Sequence, residues 1–135
     1  MNLTSHGIVS LVRNKENKFL LLEDCREEMR GCWAPPHGRC EETDENEESG
    51  VIRETFEETG LKVSPVRKLL TQPADTKVKT VSFWVVNLIG GEMKIDANET
   101  SNHDWFTIDE ALKEKLYPGT RLFFEKVASG EINIE

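Results

Sequence analysis

The sequence predicts an α+β domain in which a mixed β-sheet is sandwiched between helices. Three observations carry that prediction. Short apolar runs at Gly7 to Val12 and Lys18 to Leu22, and Val78 to Ile89, which is rich in β-branched and aromatic residues, read as strands. Asn46 to Thr59, closed by Gly60, carries a helical pattern between them. Two further helical segments follow near the end of the chain. With 135 residues, 37% hydrophobic and 31% charged, and no repeat or linker, residues 1–135 read as one domain with a single core.

In chain order, Gly7 to Val12 and Lys18 to Leu22 flank the turn-rich Asn14-Lys15-Glu16-Asn17 and predict a β-hairpin. Residues 24–45 contain Gly31, Pro35, Pro36 and Gly38 and read as a long irregular loop, which in so small a domain points to function. The helix over 46–59 would run about 21 Å, with Asp44 and Glu47 as its capping pair. Lys62 to Thr71 reads as a strand broken or bulged at Pro65. Val78 to Ile89 is the strongest strand, ended by Gly90-Gly91, with Glu92 to Ile95 pairing back. Trp105-Phe106 adds a short strand. Ile108 to Leu116 reads as a helix capped by Thr107, and Pro118 to Ala128 as another with Pro in its first turn.

The net charge of −8 argues against a chain that coats nucleic acid through its overall field. A small anionic substrate stays compatible, because a bound cation inverts the local field. Cys25, Cys32 and Cys40 are an odd set without a Cys-x-x-Cys pair and read as free thiols. No run approaches the length of a membrane span, and MNLTSHGIVSLVRN lacks the order of a secretory signal. The expectation is a cytoplasmic chain with neither a membrane nor a nucleic acid as partner; the sequence leaves oligomeric state open.

The stretch Arg53-Glu54-Thr55-Phe56-Glu57-Glu58-Thr59-Gly60 poses a physical problem. At about 100° per residue, with Glu54 at zero, Glu57 falls near 300° and Glu58 near 40°. The three carboxylates share one face, with Gly50 beside them, and Ile52, Thr55, Phe56 and Thr59 point the other way, toward a core. Like-charged pairs at these spacings each cost roughly 0.2–0.5 kcal/mol. One reading is a solvated acidic face. The other is a hard divalent cation such as Mg²⁺ or Mn²⁺, which reverses the sign and is completed by substrate phosphates.

Gly38, Glu45 and Arg53 to Leu61 together resemble the Nudix box, G-x5-E-x7-R-E-U-x-E-E-x-G-U with U a bulky aliphatic residue. Trp33-Ala34-Pro35-Pro36 is similar to the family's lead-in, and the order of elements agrees over about residues 5–128. Six residues separate Gly38 from Glu45 instead of five, and Thr55 replaces the aliphatic residue. The resemblance implies a Nudix-like fold and hydrolysis of a pyrophosphate bridge with Mg²⁺ or Mn²⁺. It implies Glu54, Glu57, Glu58 and the His37 carbonyl as metal ligands, and Arg53 as the group that orients the carboxylates. Gly38, Glu45 and Gly60 become structural, with Glu45 a partner of Arg53. Such enzymes often draw a further glutamate from a later loop; Glu99, six residues before Trp105, is the candidate ligand or base, with His103 and Asp104 near it.

Within the family, the stretch CWAPPHGRCE and the strand KTVSFWVV look like those of animal-type diadenosine tetraphosphate hydrolases, which release ATP and AMP. His37 and Arg39 replace a Lys and a His of that group, and a tyrosine expected around residues 74–80 is missing. The alternatives are a nucleoside triphosphate pyrophosphohydrolase, including one for oxidised nucleotides, and a non-catalytic nucleotide-binding module. ADP-ribose fits less well, because Thr76 stands where that subgroup tends to have proline. Candidate phosphate contacts are Arg13, Lys18, Lys77, Lys79 and His37. Phe83 and Trp84, on opposite sheet faces, offer one candidate platform for a base, and Trp33 and Trp105 are others.

Overall fold

β1 (His6–Arg13) is buried along nearly its whole length, and that places it inside the sheet. In the computed structural model, which describes residues 5–74 and 78–134, β1 pairs in parallel with β6 (Thr80–Gly91), from His6 opposite Thr80 to Arg13 opposite Asn87. β5 (Leu61–Pro73) closes that side as an antiparallel neighbour of β6. On the other side β1 meets β2 (Phe19–Asp24), which carries β3 (Trp33–Ala34); the path is β3-β2-β1-β6-β5. β4 (His37–Arg39) pairs with β1, and β7 (Thr100–Phe106) with β2.

Alternation along the central strands makes two cores. Val9, Leu11, Leu21, Phe83 and Val85 face one way and bury Phe123 and Phe124 of helix α3 (Pro118–Ala128), once the short α2 (Ile108–Ala111) has been passed. Phe83 stacks on Phe123 with ring centroids 4.2 Å apart. Ile8, Val12, Leu20, Trp84 and Val86 face the other way, onto Val51 of α1 (Glu47–Thr59). Burying each such large side chain contributes about 1.5–3 kcal/mol. The α+β class with a mixed sheet between helices is therefore observed. Among the described residues, no helix is long and apolar enough to cross a membrane.

Several expectations need correcting. The hairpin exists, but β1 and β2 are registered only at Arg13 opposite Phe19. Beyond that point they diverge, β1 toward β4 and β2 toward β3. The loop over 24–45 contains both of these short strands and a 3₁₀ turn at Glu27–Met29. Glu92 to Ile95 does not form a strand; the Lys94 amide donates to the Thr59 carbonyl at the end of α1 instead. β7 is longer than Trp105-Phe106 and takes in Thr100 to Asp104. The helix expected over 108–116 stops at Ala111 despite a full capping box of Thr107 and Glu110. Its remainder is drawn into pairing with β3: the Trp33 amide donates to Lys115, and Tyr117 donates back to Trp33. Tertiary hydrogen bonds there outweigh local helix propensity. The bulge expected at Pro65 is present, between Pro65 and Arg67.

Candidate active site

α1 begins at Asn46, whose side chain accepts from the Ser49 amide, and ends at Gly60, whose amide donates to the Phe56 carbonyl at φ 77°. The cap is Asn46, not Asp44. Asp44 is buried and takes another role: it accepts from the Glu41 amide and receives Arg53 through Nε at 2.9 Å and Nη2 at 3.0 Å. Those bonds hold the Asp44 carboxyl below its usual range. Glu45, the expected partner of Arg53, is exposed, and Asp44 fills its place, with five residues between it and Gly38. The extra residue of the box therefore falls after this acid, at the start of the helix. Arg53 also reaches Glu57 at 2.8 Å and Glu54 at 3.0 Å through Nη1, and the Arg39 carbonyl at 3.0 Å through Nη2. Its planar fork ties the box loop to the acidic face of α1.

The stripe of α1 that meets the sheet is Val51, Thr55 and Thr59; Ile52 and Phe56 are 42% and 52% exposed, contrary to the expected core face. Thr55 Oγ1 lies 2.8 Å from Ser10 Oγ and 2.7 Å from the Val51 carbonyl, so the hydroxyl is satisfied while fully buried. Gly50 is buried as well. A Cβ there would stand 3.0 Å from Asp44 Oδ2 and 3.5 Å from Cys40 Sγ, so this glycine makes room for Asp44 and not for a substrate.

With the helix set this way, Glu54 and Glu58 turn toward the gap between β1 and β2. The Glu54 carboxylate packs on Gly38, where a Cβ would come within 2.1 Å of it. Glu58 accepts from the His37 amide at 3.2 Å. Burial pushes the Glu58 carboxyl up to about 8, the Glu54 and Glu99 charges add to the effect, and the His37 bond opposes it. Burial also raises Glu54, against the pull of Arg53. Glu99 is exposed in the turn before β7, which is docked by the Cys25 amide on the Glu99 carbonyl.

Glu58, Glu99 and His37 line one cleft together with Asp24, Arg26 and Tyr117. Asp24 ends β2 and is buried; Arg26 grips it at 2.8 and 3.1 Å, and the Tyr117 hydroxyl donates to it. Burial opposes ionisation of Asp24, but these bonds hold its carboxyl at about 2. The His37 ring packs edge-on against Tyr117, with Nδ1 2.9 Å from the Pro35 carbonyl, and burial lowers its pKa. Asp24, Arg26 and Tyr117 were missed from sequence. The Tyr117 hydroxyl and Asp24 are 93 residues apart, and no local pattern joins them.

A NUDIX domain matches residues 3–127. The chain belongs to the NUDIX family. An ADP-ribose pyrophosphatase of Methanocaldococcus jannaschii is 36% identical over 67% of this chain and 56% of its own length. The asymmetrical bis(5'-nucleosyl)-tetraphosphatase of Rattus norvegicus is 31% identical over 77% of this chain and 74% of its own. An NAD-capped RNA hydrolase NudC of Actinobacillus succinogenes is 34% identical over 58% and 30%. The crystal structure of a MutT protein from Methanosarcina mazei Go1 superposes with TM-score 0.73 at 28% identity, over 93% of this chain and 94% of that one. The chain spans 34% and 56% of the lengths of the first two curated relatives that it matches.

NUDIX proteins generally use divalent metals, and the residues here fit one in chemistry. The donors are carboxylate oxygens suited to a hard cation, and Glu58 sits where negative charge is held at a penalty that a cation would relieve. Among the described residues no three acids, thiols or imidazoles already converge as a cage; Arg53 holds Glu54 and Glu57 while His37 holds Glu58. Other expected contacts are not at this cleft. Phe83 and Trp84 are 3% and 8% exposed and are core residues, Phe83 under α3 and Trp84 bonded to Glu47 Oε1 at 3.1 Å. Trp33 is buried too. Lys79 lies just outside the start of β1, its amide on Ser5, and does not line the cleft; Arg13 holds Asn87. Lys18 closes the β1–β2 turn, its amide on the Asn14 side chain. Lys77 and Thr76 lie outside the described residues. Trp105 remains half-buried beside Leu20, with His103 beside Leu22 on the same face.

Proposed function

We propose that the whole of residues 1–135 acts as one NUDIX hydrolase domain that cleaves a pyrophosphate bridge in a nucleoside diphosphate-linked small molecule, with Mg²⁺ or Mn²⁺. The observation that carries this reading is Glu58: a carboxylate raised to about 8 beside Glu54 and Glu99, in a cleft that also presents a guanidinium. An acidic face made only for solvation needs no such burial.

Glu54, Glu57, Glu58 and the His37 carbonyl would hold the ion, with Glu99 completing the set or accepting the proton that water gives up. A divalent cation bound there supplies charge neutralisation on the phosphate oxygens and a lowered pKa for water. Arg53, anchored on Asp44, receives Glu54 and Glu57 when they are not engaged elsewhere and keeps them on one face. Gly38 leaves Glu54 the space to lie against β4. In the reaction, oxygen of water bonds to one phosphorus, the bond from that phosphorus to the bridging oxygen breaks, and the bridging oxygen leaves with the other phosphate.

Among substrates we favour a dinucleoside tetraphosphate, cut to ATP and AMP. The support is the rat tetraphosphatase, which this chain matches over 74% of that protein's length. The half-buried Trp105 is a candidate to stack a base. A small nucleotide suits the net charge of −8 better than a long polyanion does. The test is product analysis with Mg²⁺ on diadenosine tetraphosphate, ordinary and 8-oxo nucleoside triphosphates, ADP-ribose and an NAD-capped RNA, with Glu57→Gln as control. ATP plus AMP from the dinucleotide, absent with Glu57→Gln, is expected. Monophosphate plus pyrophosphate from a triphosphate, or preference for another member of the panel, would replace the substrate. Turnover that survives in Glu57→Gln would remove the metal helix from the reaction.

A further inference from the structure

We infer that Arg26 is the phosphate-holding cation of the cleft, aimed by Asp24 and Tyr117. The inference rests on the reading above for the identity of the anion as a substrate phosphate.

Among the described residues the cleft has one Lys or Arg on its wall, and that residue is Arg26. Its side chain is 55% exposed while that of its partner Asp24 is 5% exposed, so the cation is held at the mouth on a buried mount. Asp24 Oδ1 accepts from the Arg26 amide at 2.8 Å and from Nε at 3.1 Å, and Oδ2 accepts from Nη2 at 2.8 Å. Tyr117 donates to Oδ2 of the same carboxylate, beside Arg26 Nη2, and helps to fix its plane. Two of the five N–H donors of an arginine are thereby occupied and the fork is held in one orientation. This is more order than an exposed arginine needs for stability, because an exposed ion pair is worth little.

The rest of the lining explains the arrangement. Glu58 and Glu99 are acids that line the same cleft. A polyphosphate entering this cleft meets these carboxylates, and an ion bound by them would neutralise only part of its charge. A preorganised guanidinium in the same cleft matches the remaining non-bridging oxygens by paired hydrogen bonds. Arg26 is the group that binds, and Asp24 and Tyr117 are positioning residues.

The experiment measures equilibrium binding of ADP and of adenosine, each with Mg²⁺, by calorimetry. It is run on the full chain, Arg26→Ala, Arg26→Lys and Asp24→Asn, beside KM, kcat and Tm. Arg26→Ala should weaken ADP and raise KM about tenfold or more, with a smaller change in kcat and none in adenosine binding. Arg26→Lys should recover part of the loss. Asp24→Asn should shift KM in the same direction although it leaves the cation in place. If Arg26→Ala binds ADP as the wild type does and only Tm falls, Arg26 merely fixes its loop and the inference is overturned. If the wild type turns over nothing in the substrate panel but binds ADP through Arg26, the hydrolase reading falls and the anion site stands. If neither occurs, both fall.

Discussion

At Glu58 the fold places a carboxylate where burial raises its pKa from 4.5 to about 8. Between those values the metal-free folded chain keeps a proton that the unfolded chain has lost, so stability declines as pH rises through this window. Glu58→Gln removes the titration. Its metal-free Tm should exceed that of the wild type by several degrees in the neutral to mildly alkaline range, converge with it below pH about 4.5, and come with loss of turnover. Thermal melts across pH check this; equal melting curves at alkaline pH would mean that Glu58 carries no such penalty. Thr55 makes the complementary case. Its buried hydroxyl satisfies that of Ser10, so Thr55→Val should cost about 1–3 kcal/mol by leaving Ser10 unpaired, and adding Ser10→Ala should recover much of it. Denaturant melts of the two single variants and the double variant measure the coupling. The box acids were legible because helical spacing is a local property. Phe83 and Trp84 were misassigned for a related reason: alternation tells that they face opposite ways but not that α1 and α3 cover both faces.

At the scale of the element, α1 shows how a polar stripe can be the buried one. Thr55 bonds the Val51 carbonyl and Thr59 the Thr55 carbonyl, so short hydroxyl side chains lie against β1 without an unsatisfied group. Helical spacing alone points Ile52 and Phe56 inward; the helix instead rolls toward Val51, which brings Glu54 and Glu58 to the cleft edge. The close approach of α1 to β4 depends on Gly38. Gly38→Ala would drive a methyl group into the Glu54 carboxylate, and the expected result is a fall in kcat of at least about tenfold with the fold retained by circular dichroism. Unchanged kcat would show that Glu54 has other room. The ends of α1 were nearly readable, yet Asp44 and Asn46 were exchanged. Both are good N-caps, and only the tertiary demand of Arg53 for a carboxylate separates them.

On the scale of the molecule, Glu47 joins the start of α1 to three strands. It receives Lys68 of β5 at 3.0 Å and Trp84 of β6 at 3.1 Å, and lies 3.2 Å from His6 of β1. Burial opposes its charge, but the bonds from Lys68, Trp84, Ser82 and His6 hold its carboxyl at about 2. A carboxyl depressed this way stabilises the fold above its unfolded value of 4.5, and that stability is lost as pH falls toward 2. Acid melts should therefore show Glu47→Gln less stable than wild type near neutral pH, with the gap closing toward the acid limit; a constant gap would contradict the linkage. The class of fold was legible from strand and helix patterns. The cleft was not, because it forms where β1 and β2 part, and because pairing with β3 carries Tyr117 to Asp24 from the far end of the chain.

The central claim is that the acidic face of α1 is built for a divalent cation. Its most direct measurement is Mg²⁺ binding by titration calorimetry at neutral pH, in buffers of differing ionisation enthalpy, for the wild type and Glu58→Gln. The account predicts saturable binding with release of a proton from the wild type, because Glu58 is protonated there without metal, and weaker binding with no such release from Glu58→Gln. Binding of equal strength and equal proton release in both chains, or no saturable binding in the wild type, would contradict it.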